Sequence, residues 1–210
     1  KYVGTELAGK TIGIIGFGTI GRLVAARCVG LKMKVLAYDP FVTPEIMAQT
    51  GAEPRELDAL LAAADYITLH CPMSDKTRGL IDKTRIASMK KGARIINCAR
   101  GGLVDEAALH EALTSGHIAG AALDVFVKEP PVGSPLLALD NVVLTPHLGA
   151  STEEAQQAVS VRIAEDIAGF LTTGAAETAV NLPRISSEQL GASRPYQKLA
   201  QALGSTVGAL

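Results

Sequence analysis

Three side chains suited to handling an oxyacid each stand just past a short apolar run. Arg100 follows Ile95-Ile-Asn-Cys-Ala and precedes Gly101-Gly102, which leave its planar guanidinium room to meet a carboxylate in a forked pair of hydrogen bonds. Glu129 stands before Pro130-Pro131, a double proline that stiffens its loop, and Asp124 lies at the end of Ala122-Leu-Asp. His147 leaves Leu144-Thr-Pro. Histidine exchanges a proton near neutral pH, and a carboxylate on its other ring nitrogen would fix its tautomer and raise its pKa. Taken singly, each has a plainer use: Arg100 in a surface ion pair, Glu129 as a solvated loop acid, His147 as a satisfied structural histidine. Taken together, an anion grip and a proton relay placed after successive apolar runs point to acid–base chemistry on a carboxylate-bearing molecule.

The surrounding pattern says what would bring them together. Short β-rich runs alternate with helical stretches, the signature of an α/β fold with a Rossmann-type, doubly wound parallel sheet. The pattern predicts strands over Thr11–Ile15, Lys34–Ala37, Tyr66–His70, Ala93–Asn97, Gly120–Leu123 and Val142–Leu144. It predicts helices over Ile20–Leu31, Pro54–Ala63, Lys83–Met89, Glu106–Thr114 and Thr152–Leu171, the last starting at Ser151-Thr152-Glu153-Glu154, a cap hydroxyl followed by acids. In such a sheet the loops leaving the strands' carboxyl ends gather along one edge, so Arg100, Asp124, Glu129 and His147 converge there. Beyond Gly174 the pattern breaks. Val180–Ser187 reads as a linker, Tyr196–Leu210 as a helix whose apolar face lacks an evident partner, and 175–210 as the remnant of a further domain.

The first predicted strand runs into Gly16-Phe-Gly18-Thr19-Ile20-Gly21, and the second ends in Ala37-Tyr-Asp39-Pro40. A glycine turn between strand and helix, with an acid closing the next strand, is a dinucleotide site. Gly16 permits the tight turn, Gly18 lets a pyrophosphate approach the backbone, and Gly21 lets the helix pack closely, while the helix start at Thr19-Ile20 holds the phosphates. The carboxylate of Asp39 accepts from ribose hydroxyls and repels a 2′-phosphate, which favours NAD over NADP. Its plainer reading is a turn residue before Pro40. His70, beside Cys71-Pro72, is expected to shape the adenosine pocket, and His110 and His117 to be exposed.

Composition narrows the class. The 210 residues are 48% hydrophobic with net charge -1, and the longest basic run is Lys90-Lys91, which argues against nucleic acid or anionic membrane as partner. Apolar runs fall well short of the roughly 20 residues that span a bilayer, and Lys1-Tyr-Val-Gly lacks a signal-peptide pattern, so a cytoplasmic location is expected. Cys28, Cys71 and Cys98 are odd in number and widely spaced, which fits reduced thiols better than disulfides or a zinc site; no metal is expected.

These segments, with Asn97-Cys-Ala-Arg-Gly-Gly-Leu-Val-Asp-Glu106, Leu123-Asp-Val-Phe-x-x-Glu-Pro-Pro131 and Thr145-Pro-His-Leu-Gly-Ala-Ser-Thr152, resemble the D-isomer-specific 2-hydroxyacid dehydrogenases from Lys1 to about Leu182. The resemblance is strongest to the branch that oxidises 3-phosphoglycerate in serine biosynthesis. It implies an NAD-dependent oxidoreductase in which Arg100 binds the substrate carboxylate, His147 is the proton donor and Glu129 orients and charges it. It further implies cofactor contacts from Gly16, Gly18, Thr19, Ile20, Gly21, Asp39, Cys71, Cys98, Ala99, Arg100, Asp124, His147, Gly149 and Ala150, several through main chain, with Asp124 facing the nicotinamide carboxamide. Alternatives within the family are a glyoxylate/hydroxypyruvate reductase or a D-lactate dehydrogenase; outside enzymology, an NAD(H)-sensing corepressor-like module. The resemblance places the cofactor domain at 1–174 and the start of a C-terminal region at 175–210. It also leads to the expectation that a first part of the substrate domain precedes Lys1, that a homodimer or homotetramer forms, and that a substrate phosphate is met by basic residues outside this chain.

Overall fold

The computed structural model describes residues 4–176, 178–181 and 186–208. Its elements in chain order are β1 (Thr11–Ile15), α1 (Thr19–Gly30), β2 (Lys34–Tyr38), α2 (Pro44–Gln49), β3 (Glu53–Pro54), α3 (Leu57–Ala63), β4 (Tyr66–Leu69), α4 (Lys83–Ser88), β5 (Ala93–Asn97), α5 (Glu106–Thr114), β6 (Ile118–Leu123), β7 (Val142–Leu144), α6 (Glu153–Thr173) and α7 (Ser187–Val207). The strands form one parallel sheet in the order β3-β2-β1-β4-β5-β6-β7. From β1 the chain winds outward to β3, then returns to lay β4 against the other side of β1. That reversal opens a crevice at the carboxyl ends of β1 and β4, where doubly wound sheets bind ligands.

Strand alternation explains why both faces are buried. On β1 and β2, Ile12, Ile14, Val35 and Ala37 point to one side and pack with Phe17, Ala25 and Cys28, the last two from α1. Ile15 and Leu36 point to the other side, into a larger cluster with Leu57, Leu60 and Leu61 of α3 and Leu109 and Leu113 of α5. Side chains of period 2 thus serve two helical layers, the reason these strands read as near-continuous apolar runs. Leu60 and Leu61 are fully buried; trimming either to Ala would cost about 2–5 kcal/mol.

The predicted sheet is present with two additions, α2 and β3. Both are too short to show a period: α2 has six residues, Pro44 the first of them behind Thr43, and β3 has two. Pro54 was expected to begin a helix, but it pairs with Ala37 on the sheet's edge, where its missing N–H costs no ladder bond, and α3 starts at Leu57. The chain divides into two compact units, residues 1–149 and 150–210. The long helix α6 belongs to the second of these units, whereas the expected cofactor domain runs over 1–174. It ends on Gly174, left-handed at φ 76°, and Arg194 Nη2 of α7 donates to the Thr173 carbonyl at 2.8 Å. α7 begins nine residues before Tyr196, at a capping box in which Ser186 and Gln189 bond reciprocally, and it runs through Pro195. Within the expected linker, residues 182–185 lie outside the described residues.

Candidate active site

The cofactor half is made largely of backbone. Ile15 pairs with Leu69, so the turn after β1 is pressed against the end of β4. Gly16 has φ 92°, and a Cβ there would lie 2.6 Å from the Cys71 nitrogen. A side chain on Gly21 would collide with the Gly16 carbonyl, so the third glycine seats the helix on the turn itself, with Ile14 the next neighbour at 3.5 Å. The space in front of Gly18 is open. Gly18 is the residue before α1, and among the described residues no side chain caps this helix or places an acid in its first turn. Its positive end is left to an anion.

Asp39 lies one residue past β2. Its Oδ2 accepts from Phe17 N at 2.7 Å and its Oδ1 from Phe41 N at 2.9 Å, so the carboxylate is clamped by the glycine turn on one side and its own loop on the other. It lines a cleft of about 620 Å³ with Pro40, Val42, Met47 and Arg55. A second cleft of about 330 Å³ gathers Ile20, His70, Cys71, Cys98, Ala99 and Arg100. His70 shares a 3.0 Å hydrogen bond with Thr68 Oγ1, and burial lowers its pKa, so it stays neutral. Burial raises the thiol pKa of both Cys71 and Cys98, leaving them protonated wall residues.

The catalytic half is held by buried polar side chains. Asn97, 2% exposed at the end of β5, donates from Nδ2 to the Arg100 carbonyl at 2.9 Å and accepts at Oδ1 from Ala99 N at 3.1 Å. One amide thus shapes the turn that displays Arg100, whose guanidinium is exposed and donates to the Ala99 carbonyl at 2.6 Å. Asp124, 4% exposed at the end of β6, does the same for His147. Its Oδ1 accepts from Thr145 Oγ1 at 2.5 Å and Leu148 N at 2.7 Å, and its Oδ2 from Gly149 N at 2.9 Å. Burial alone would raise the Asp124 pKa; these donors and the nearby His147 outweigh it, and the net shift is downward.

His147 sits at φ 58°, a left-handed conformation costing a side-chain-bearing residue roughly 1–2 kcal/mol, which the Asp124 clamp on either side sustains. Its Nδ1 lies 2.8 Å from Glu129 Oε2, and Glu129 Oε1 accepts from Phe126 N at 3.0 Å. These bonds, that of His147 first, hold the Glu129 carboxyl below its ordinary pKa. With Nδ1 committed to a carboxylate, the neutral ring carries its proton there and presents a bare Nε2. The loop bearing Glu129 is braced twice more: Glu106 Oε1 accepts from Val127 N at 2.7 Å, and Gly101 lies so close to the Phe126–Val127 peptide that any side chain would overlap it.

Arg100, Glu129, His147, Asp124 and Gly149 thus stand on the ends of β5, β6 and β7, and Ile20, Cys71, Cys98 and Ala99 share one cleft. Ala150 opens the second unit, where its carbonyl accepts from Gln156. His110 and His117 are half-buried, not exposed; His117 bonds the Ile86 carbonyl at 3.0 Å, which ties β6 to α4. Asn97, Thr145 and Glu106 were not foreseen as site residues. A polar residue closing an apolar run was the available signal for the first two.

The profile described as "D-isomer specific 2-hydroxyacid dehydrogenase, NAD binding domain" matches residues 1–149. The chain belongs to the D-isomer specific 2-hydroxyacid dehydrogenase family. It is 50% identical over 208 residues to D-3-phosphoglycerate dehydrogenase of Methanocaldococcus jannaschii, covering 99% of this chain and 40% of that protein. It is 47% identical over 206 residues to the Bacillus subtilis protein of the same name, covering 98% and 39%. The chain therefore spans about 40% of the length of these curated relatives. Among solved structures, the NAD-complexed family member from Lactobacillus delbrueckii ssp. bulgaricus superposes with TM-score 0.78 at 34% identity, over 85% of this chain and 58% of that one. D-lactate dehydrogenase from Aquifex aeolicus, complexed with NAD and lactic acid, gives 0.74 at 33%, over 81% and 56%.

The structure fits NAD on its own terms. The open space at Gly18 and the uncapped α1 suit a diphosphate, and clamped Asp39 suits a ribose with free hydroxyls. No helix among the described residues is long and apolar enough to cross a membrane.

Proposed function

We propose that the protein carrying this chain oxidises the C2 hydroxyl of a D-2-hydroxy acid, with 3-phosphoglycerate as substrate and 3-phosphohydroxypyruvate as product, in serine biosynthesis. The observation that carries the reading is the 2.8 Å pairing of His147 Nδ1 with Glu129, beside a turn that displays Arg100. Arg100 holds the substrate carboxylate by its planar fork. His147 Nε2 removes the hydroxyl proton, and Glu129 stabilises the imidazolium that forms. Bound NAD supplies the hydride acceptor at C2. Asp124 adds no proton transfer; it sets the His147 backbone so that Nε2 points at the reacting hydroxyl.

The substrate assignment is supported by relatives named for 3-phosphoglycerate, which match at 47–50% identity over nearly the whole chain. Solved structures named for lactate or glyoxylate match at 32–36%. Among the described residues, Arg100 is the only cation lining its cleft. That cation is committed to the carboxylate, so we assign the substrate phosphate to basic residues outside this chain. We further infer a homodimer or homotetramer working in the cytoplasm, which sedimentation and cell fractionation test directly.

The decisive experiment is turnover by the complete protein of 3-phosphoglycerate, D-lactate and D-glycerate with NAD. A kcat/KM for 3-phosphoglycerate well above the others is expected. Preference for a phosphate-free acid would overturn the substrate but keep the dehydrogenase. NADH binding without turnover of any hydroxy acid would replace the enzyme with a cofactor-sensing module.

A further inference from the structure

The cleft that holds Asp39 also contains a cation that NAD recognition does not use. The two-residue edge strand β3 pairs Pro54 with Ala37, and Arg55 N then donates to the Ala37 carbonyl at 2.9 Å. This register sets Arg55 at the carboxyl end of the sheet, alongside the strand that ends at Tyr38 and delivers Asp39. Both side chains line the same cleft of about 620 Å³. The lining of the ribose site therefore includes both a fixed acid and an arginine.

Their freedom differs. Asp39 cannot turn away from an incoming group, because Phe17 N and Phe41 N hold its two oxygens. Arg55 is engaged through Nη2 by Glu53, whose other oxygen lies 3.4 Å from Lys34 Nζ. With the Arg55 and Glu53 side chains 48% and 41% exposed, that pairing is weak and readily exchanged for a better anion. A phosphate monoester is such an anion: it carries more charge than a carboxylate and accepts a guanidinium's forked donors. Doubly wound folds that take a phosphorylated ribose place an arginine nearby for this purpose.

We propose that Arg55 is a second cofactor-selecting residue, and that the cleft is a latent subsite for a ribose 2′-phosphate in which Arg55 supplies the cation and Asp39, the acid fixed in place by backbone donors, is the main group that keeps the phosphate out, with Glu56 on the same lining. The inference rests on the NAD-binding reading and deepens it. Selectivity is then a balance between the acids of the cleft, Asp39 foremost, and one base that Glu53 holds in reserve.

The test is a double-mutant cycle on dissociation constants for NADH and NADPH, read by nicotinamide fluorescence in wild-type protein, Asp39→Asn, Arg55→Ala and the double variant. Asp39→Asn should tighten NADPH about tenfold or more and weaken NADH by a similar factor, the scale of one charge-assisted hydrogen bond. Adding Arg55→Ala should remove the NADPH gain and leave NADH as in Asp39→Asn. Glu53→Gln in the Asp39→Asn background should tighten NADPH further by releasing the guanidinium. Competition by adenosine 2′,5′-bisphosphate against AMP, in Asp39→Asn and in the double variant, isolates the same phosphate without the nicotinamide half of the cofactor. NADPH affinity that ignores Arg55 in both the Asp39→Asn background and this competition would overturn the proposal. Wild-type protein that binds neither nucleotide would instead overturn the NAD reading beneath it.

Discussion

The two ends of the crevice are made of different material. At the β1–α1 turn the ligand-facing parts are glycines and a helix end, and the one conspicuous side chain, Asp39, is itself fixed by backbone N–H groups. At the ends of β5 to β7 the turns bearing the exposed Arg100 and His147, the proposed reagents, are shaped by the buried side chains Asn97 and Asp124. A diphosphate needs many weak, evenly spaced donors, which peptide groups provide. A proton transfer needs one ring at one angle, which here takes a dedicated buried carboxylate. Damage at the two ends should therefore differ: loss of cofactor affinity at the first, loss of turnover or of hydroxy-acid binding at the second.

The sharpest test of that division is His147→Ala in the complete protein. It should lower kcat by about 10²–10⁴-fold, the span of a general acid–base, and leave the NADH dissociation constant nearly unchanged. A large change in NADH affinity would erase the distinction. Asp124→Ala comes next, since it leaves Leu148 N and Gly149 N without their acceptor and the His147 conformation unsupported. It should cost about 1–3 kcal/mol in denaturant unfolding as well as rate. Asn97→Ala should act more narrowly, by loosening the Arg100 turn: KM for the hydroxy acid rises, on the order of tenfold, with NADH affinity kept. If its main effect fell on NADH, the amide would belong to the other end.

The smallest effect is on acid stability. Asp124 and Glu129 both titrate below their ordinary values in the fold. A depressed folded pKa means that the contribution is complete above the unfolded carboxylate values, about 4, and fades as pH falls through the folded values. Thermal melts should fall between about pH 5 and pH 2, more steeply for the wild type than for Asp124→Asn. Equal slopes would show that Asp124 holds its charge for no structural return.

What the sequence made legible follows the same division. Gly16, Gly18, Gly21 and Asp39 announce themselves because a backbone site depends on residue spacing, and spacing is what a sequence displays. Arg100, Glu129 and His147 were legible as reagents, each just past an apolar run. Their supports were not, because Thr145 and Gly149 reach Asp124 from 21 and 25 residues away and Glu106 meets Val127 across 21. Such pairings depend on which strand ends lie side by side. The edge strand β3 is not legible because two residues, one of them proline, carry no alternation, and the true start of α7 is hidden because Pro195 looks like a beginning when it is an interior residue.

The contact at Gly101 has a consequence for how this crevice can change. The Arg100 turn and the Glu129 loop meet there peptide against peptide, with no room for even a methyl group between them. In the proposed reaction, gripping the substrate and moving its proton are thus geared together. A lengthened or shifted Arg100 turn that accepted a bulkier acid would push on the loop behind it and throw Glu129 out of line with His147. Substrate range can widen cheaply only from surfaces that do not touch this joint, so drift in specificity should leave the Arg-Gly-Gly corner alone while the rest of the pocket is rewritten around it.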